Sequence, residues 1–283
     1  MAQIHPLALV HPAATIGRDV EIGPFSVVEQ GVTIGDGCRL AAHVFVKQGT
    51  TLGAHNTISE GAVIGGRPQH LNAAAEVGRL VIGDHNQIRE HVTIHVGLAP
   101  TSVTTIGNHC LLMVNVHVAH DCHIADNVII ANNAMLAGHV SVGTRAYISG
   151  AVGVHQFCRV GAYAMVGGQS HVSQDVPPYV TVDGKSNLIV GLNKVGLKRA
   201  GFTDVDMTQL KEAYRVIYRS GVRWAEVLEL LKARFTDGAA AAFTEFFSEG
   251  KRGFVQERRT PPSATLKLVP ETKDSAEEVR KVG

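Results

Sequence analysis

Every sixth residue from Val10 is aliphatic: Val10, Ile16, Ile22, Val28, Ile34, Leu40, Val46, Leu52, Ile58 and Ile64. The register pauses and resumes at Ile82, Ile88 and Ile94. It pauses again, then runs unbroken through Ile106, Leu112, Val118, Ile124, Ile130, Leu136, Val142, Ile148, Val154, Val160, Val166 and Val172, giving 25 aliphatic residues in one register. A helix repeats every 3.6 residues and a strand every two, so neither alone gives a period of six. A short strand plus a turn does. Three such units make a coil of about 18 residues, and stacked coils make a parallel β-helix. Gly often follows the aliphatic position, as at Gly17, Gly23, Gly35, Gly53 and Gly65. That predicts a corner with unusual φ/ψ at this point. The position four after the aliphatic residue is small and holds all four cysteines, Cys38, Cys110, Cys122 and Cys158. They are expected as buried fillers rather than disulfides or metal ligands.

Two interruptions, near 65–81 and 95–105, read as loops extruded from the prism. Loops on a rigid scaffold are where function concentrates. The hexads stop near Gln174-Asp175-Val176-Pro177-Pro178-Tyr179, and the texture changes. Helical spacing appears over 204–219 and 222–235, with Leu210, Ala213, Tyr214, Ile217 and Tyr218 on one face, and again over 239–247. The expected organisation is an all-β parallel β-helix over 1–190, a small α-helical C-terminal domain over 191–259, and a polar, disordered tail over 260–283.

Composition narrows the function classes. Of 283 residues, 18% are charged, and 26 basic against 25 acidic side chains leave a net charge of +1. A globally basic nucleic-acid binder is not expected. No apolar run approaches the ~20 residues of a membrane span. The N-terminus lacks a cationic start followed by an apolar core, so a cytoplasmic protein is expected.

Candidate chemistry lies in the histidines. Nine of the 15 fall between 91 and 171. Folding by sixes brings distant ones together: His120, Gly138 and Gln156 are spaced by 18, one coil apart on one face. Two chemistries fit. A histidine general base works near neutrality, with Asp121 or a carbonyl fixing its tautomer. Several histidines also suit Zn²⁺. Spacing alone does not separate them.

The chain resembles the bacterial UDP-N-acetylglucosamine O-acyltransferases, first enzymes of lipid A biosynthesis. The resemblance covers roughly residues 4–255. It is carried by the hexads and by Ile88-Arg89-Glu90 with Thr93-Ile94-His95. The longest stretches are Asn115-x-His117-x-Ala119-His120-Asp121-Cys122 and Leu136-Ala137-Gly138-His139-Val140-Ser141-Val142. Further matches are Val154-His155-Gln156-Phe157-Cys158, Gly196-Leu197-Lys198-Arg199 and Tyr214-x3-Tyr218-Arg219-Ser220-Gly221. It implies a left-handed β-helix, a homotrimer with active sites between neighbours, and no cofactor or metal. The implied reaction moves a 3-hydroxyacyl chain from acyl carrier protein to the 3-hydroxyl of UDP-N-acetylglucosamine. By position, His120 would be the base, Asp121 its support and the Gly138 N–H the oxyanion donor. His117, His139, His155 and Gln156 would line the acceptor and acyl pocket. His95, Asn193 and Arg199 would contact the nucleotide-sugar, and Gly168 would lie at the end of the acyl tail. Between Gly191 and Arg259 there are 13 Lys/Arg against nine Asp/Glu, an excess suited to steering an acidic carrier protein.

The chain also departs from the pattern. Family members usually carry Asp-Leu-Lys in the first extruded loop to position the sugar; this chain has His70-Leu71-Asn72, then Ala73-Ala74-Ala75. Val195 stands for a usual Glu, Ala200 for an Arg, and the second loop is short. These changes leave the acceptor open: UDP-N-acetylglucosamine, or a different nucleotide-sugar such as its 3-amino analogue. A trimeric zinc carbonic anhydrase on the same prism is the more distant alternative.

Overall fold

Each hexad becomes a two-residue strand followed by a tight corner, and three hexads close one coil. In a computed structural model, which describes residues 1–250 and 252–259, these coils stack as a left-handed parallel β-helix. Its three faces are sheets of 11, 9 and 8 strands. Partners on neighbouring coils are 18 residues apart, as in Gln3 with Glu21 and Leu111 with Ile129. Aliphatic residues point inward and stack on one another. All of the register is buried except Val10 and Ile16, which are partly buried at the open N-terminal end.

The corners correct one expectation. Among the glycines that follow the aliphatic position, only Gly65 has positive φ. The left-handed residue is the one three after the aliphatic position: Asp19, Phe25, His43, Asn115, Asp121 and His139 have φ between 55° and 61°. Asp, Asn and His tolerate this region best among residues with a side chain. His43, His55, His85, His91, His109 and His139 all serve there. Three of them stack coil on coil, His55 on His85 at 4.9 Å and His85 on His109 at 5.0 Å. Much of the histidine count is therefore architectural. Glycine follows the aliphatic residue because the coils approach too closely for a side chain. A Cβ on Gly35 would fall 2.6 Å from the carbonyl carbon and oxygen of Gly53, one coil on.

The four cysteines are free and buried, as expected. Their thiols point at carbonyls of the next coil, Cys38 Sγ at Gly53 O (3.0 Å) and Cys122 Sγ at Ala137 O (3.2 Å). Burial pushes the thiol of Cys110 up to about 11 and that of Cys122 up to about 12.

The extruded loops are narrower than the interruptions suggested, because the flanking strands keep their partners. Strands Val63–Gly66 and Arg79–Ile82 bracket the first, and Thr93–His95 and Val103–Ile106 bracket the second. Thr57 pairs with Gln87, 30 residues on, and Gln87 with Leu111, 24 residues on. Both insertions are multiples of six, so the hexad register resumes unshifted.

After strand Val180–Val182 the chain turns back as the antiparallel strand Ile189–Leu192, which crosses the expected boundary at 190. Among the described residues four helices follow: α1 (Lys194–Arg199), α2 (Asp204–Arg219), α3 (Trp224–Arg234) and α4 (Ala241–Ser248). The short α1 had no periodic signal. Helix α2 begins at a capping box in which Thr203 and Asp206 satisfy each other's amides. It buries Leu210, Ala213, Tyr214, Ile217 and Tyr218, the predicted face. The helices are fastened to the β-helix by Arg159, whose Nε meets buried Asp175 at 2.8 Å while Nη2 donates to Phe246 O in α4. The expected tail over 260–283 lies outside the described residues. Among those described, no helix is long and apolar enough to cross a membrane.

Candidate active site

The site grows from one corner of the prism. His120 follows the strand His117–Val118, and Asp121 takes the left-handed corner position at φ 58°. That conformation folds the Asp121 carboxylate back onto its neighbour. Its Oδ2 lies 2.7 Å from His120 Nδ1, with His120 8% and Asp121 6% exposed. Burial alone would raise the Asp121 pKa. Hydrogen bonds from Ser102, His120 and the Leu98 amide outweigh it and hold the carboxyl below its ordinary value. An ionised carboxylate only accepts, so His120 Nδ1 donates, and in the neutral imidazole Nε2 then carries the lone pair.

Gly138 stands one coil on from His120. A Cβ there would fall 2.6 Å from His120 Cε1 and 2.7 Å from Nε2, so the imidazole occupies the space a side chain would need. At this repeat position on another corner, the backbone N–H is taken by a side chain of the next coil: Asn108 N donates to Asp126 Oδ1 and Asp84 N to Asn108 Oδ1, both at 2.7 Å. Gln156 is the corresponding neighbour of Gly138. Among the described residues the Gly138 N–H has no acceptor.

These groups open onto a cleft of about 510 Å³ lined by Gln69, His70, His117, Ala119, His120, Met135, Leu136, Ala137, Gly138, Gly153, Val154, His155, Gln156 and His171. His117 Nδ1 pairs with Thr93 Oγ1 at 2.8 Å, and burial lowers its pKa. His70, from the first loop, sets its ring edge-on to His120 at 5.7 Å and accepts the Asn72 amide at Nδ1. His139 stands edge-on to His120 at 5.2 Å, stacks on Phe157 and approaches Asp121 Oδ2 at 3.7 Å. Burial lowers the pKa of His139, and Asp121 opposes that shift. His155 Nδ1 accepts from Arg252 at 3.1 Å.

Several residues expected at the site do not line this cleft within one chain. His95 is 7% exposed and edge-on to His117 at 4.9 Å, off the cleft wall. Burial, then His117 and His120, pushes it down to about 4, and its Nδ1 has no partner. Gly168 is at the opposite edge of this face, its Cβ position 3.4 Å from Gly150 O. Asn193 caps α1 and donates to Tyr163 O at 2.9 Å. Arg199 ends the same helix, and neither residue lines the cleft of its own chain. Asn72 is exposed and touches the site only through His70.

One residue that the hexad reading passed over belongs here. The left-handed residues His139 and Phe157 donate their N–H to carbonyls one coil back, His120 O and Gly138 O. Below Asp121 the chain leaves the prism as the second loop. The Asp121 N–H donates instead to the buried Thr104 hydroxyl at 2.8 Å. The same interior position holds the buried hydroxyls of Ser26, Thr50 and Ser170 on other coils, so Thr104 left no distinct signal in the sequence.

His120, Asp121 and His139 place ligating atoms within 4.8 Å of one another, the one such group among the described residues. A tetrahedral Zn²⁺ at ~2.0–2.1 Å from each ligand holds those ligands more than ~3 Å apart. The 2.7 Å between His120 Nδ1 and Asp121 Oδ2 is the spacing of a hydrogen bond. The geometry therefore suits an oriented imidazole that accepts a proton at Nε2 beside a free backbone N–H.

Comparison with known proteins agrees with the fold. The family described as UDP-N-acetylglucosamine O-acyltransferase, domain 2, matches residues 175–255, and bacterial transferase hexapeptide repeats match 13–48 and 104–138. An acyl-(acyl-carrier-protein)–UDP-N-acetylglucosamine O-acyltransferase of Halorhodospira halophila is 46% identical over 258 residues, covering 90% of this chain and 100% of that protein. One from Myxococcus xanthus gives the same identity and coverage. Among solved structures, the UDP-N-acetylglucosamine acyltransferase of Francisella novicida superposes with a TM-score of 0.88 at 37% identity, covering 94% of this chain and 100% of that one. That of Moraxella catarrhalis gives 0.85 at 41%, covering 89% and 99%. The chain belongs to the acyl-(acyl-carrier-protein)–UDP-N-acetylglucosamine O-acyltransferase family.

Proposed function

We propose that this protein transfers a 3-hydroxyacyl chain from acyl carrier protein to the 3-hydroxyl of UDP-N-acetylglucosamine, the first step of lipid A biosynthesis, in the cytoplasm. The observation that carries the reading is the His120–Asp121 pair with Nε2 set beside the unpaired Gly138 N–H. His120 Nε2 takes the proton of the sugar hydroxyl as its oxygen bonds to the thioester carbonyl carbon. The carbonyl oxygen gains negative charge and meets the Gly138 N–H, a donor of a kind typically worth ~3–4 kcal/mol of barrier. The C–S bond then breaks, and the departing thiolate of the carrier recovers the proton from the imidazolium. Asp121 orients His120 and stabilises its charged form.

The protein acts as a homotrimer in this reading. On the nine-stranded face the outward side chains of the first coils are Leu9, Val27, Phe45 and Val63, with Leu9 69% and Phe45 38% exposed. A neighbour covering this stripe brings its own Asn193 and Arg199 to the cleft that they do not reach within one chain. His70 and Asn72 meet the sugar at the rim, His117, His155 and Gln156 line the pocket, and Gly168 ends the acyl channel. The excess of basic residues across the helices attracts the acidic carrier protein.

The test is a transfer assay with 3-hydroxyacyl carrier proteins of several lengths and two acceptors, UDP-N-acetylglucosamine and its 3-amino analogue. Rapid acylation of the first is expected. Exclusive acylation of the second would change the substrate and keep the chemistry, while inertness of both in a folded trimer would overturn the assignment.

A further inference from the structure

The carboxylate that orients His120 is itself held by parts with no part in the transfer. At regular corners the left-handed residue donates its N–H to a carbonyl one coil back, as His139 does to His120 O at 3.0 Å. The second loop removes that carbonyl from below Asp121. Thr104, fully buried and paired in register with Leu80, fills the gap with its hydroxyl at 2.8 Å. The same loop returns over the site so that the Leu98 amide donates to Asp121 Oδ2 at 3.1 Å, the oxygen that meets His120 Nδ1. One anchor fixes the backbone of Asp121 and the other fixes its carboxylate. We infer that Thr104 and the Leu98 amide are positioning groups for the base, and that the second loop is a strap holding Asp121 in register with His120.

The inference rests on the reading of His120 as the general base. Its alternative is that Thr104 merely fills the core. The two differ kinetically, because a misplaced Asp121 slows proton transfer without altering how either substrate binds. Thr104→Val keeps the shape and removes the acceptor, Thr104→Ser restores it, and Leu98→Pro deletes the other N–H without touching the interior. The measurements are kcat and both KM values by steady-state acyl transfer, with folding checked by circular dichroism. Thr104→Val is expected to lower kcat about tenfold, the equivalent of ~1.4 kcal/mol, with each KM within about twofold. Thr104→Ser should recover most of the loss, and Leu98→Pro should lower kcat in the same way. A folded Thr104→Val protein with kcat within about twofold of the parent overturns the inference, as does a serine variant no better than valine. If Thr104→Val does not fold, Leu98→Pro decides: an unchanged kcat overturns the strap. A parallel His120→Ala protein separates the two levels. Its full activity would remove the base assignment, whereas its inactivity beside unchanged strap variants would remove only this inference.

Discussion

His120→Ala is expected to lower the transfer rate by ~10²–10⁴-fold, the worth of a positioned general base, with the coil stack intact because His120 is no part of the aliphatic core. Retention of more than about a tenth of the rate would remove His120 from the role. Gly138→Ala tests the neighbouring position by space alone. Its new Cβ collides with the imidazole at 2.6–2.7 Å, so the ring or the coil must shift. A large fall in kcat in a folded protein is the expected outcome, and near-parent turnover would mean that His120 can act from another position. His95 supplies the pH signature. Its folded value of about 4 lies below the ordinary 6.5, so between those values the unfolded chain binds a proton that the folded one refuses. Stability then falls as pH drops from 6.5 to 4. His95→Asn should flatten that part of the thermal-midpoint curve, and an unchanged slope would place the titrating group elsewhere.

Among elements, the junction between prism and helices contains a buried ion pair. Asp175 is 1% exposed and binds Arg159 through both the backbone N–H and Nε, while Arg159 reaches α4. Removing one member of a buried pair leaves an uncompensated charge and typically costs 3–5 kcal/mol. Asp175→Ala should lower the thermal midpoint and loosen α4, seen as faster hydrogen exchange there. Unchanged exchange would assign the docking to the aromatic cluster of Tyr179, Phe243 and Phe247. The strands and α2 were legible because burial repeats along them, every six residues in the one and on one stripe in the other. Helix α1 was not: it is six residues long, contains Gly196 and buries only Leu197, so it leaves no periodic trace.

For the whole molecule, the apolar stripe of Leu9, Val27, Phe45 and Val63 is the face expected to lie against a neighbour. Phe45→Glu places a charge in that contact. Gel filtration with light scattering should show a trimer for the parent and its breakdown in the variant, with transfer failing alongside. A monomer that keeps full activity would mean that each chain carries a complete site, and an undisturbed trimer would move the interface to another face.

The sequence by itself determined the prism, its register and the identity of the His120 corner. A period of six admits one way to bury 25 aliphatic residues, and a spacing of 18 brings His120, Gly138 and Gln156 together whatever else the chain does. Only the tertiary structure decided which residue of each corner is left-handed, since Gly and His both satisfy the local pattern and close coil stacking chooses between them. It alone separated the stacked histidines of the corners from those of the cleft, set His95 behind the cleft lining, and brought His70 and the second loop onto the His120–Asp121 pair. Loop conformation and the partner of each N–H depend on contacts between residues far apart in the chain, and no periodicity encodes those.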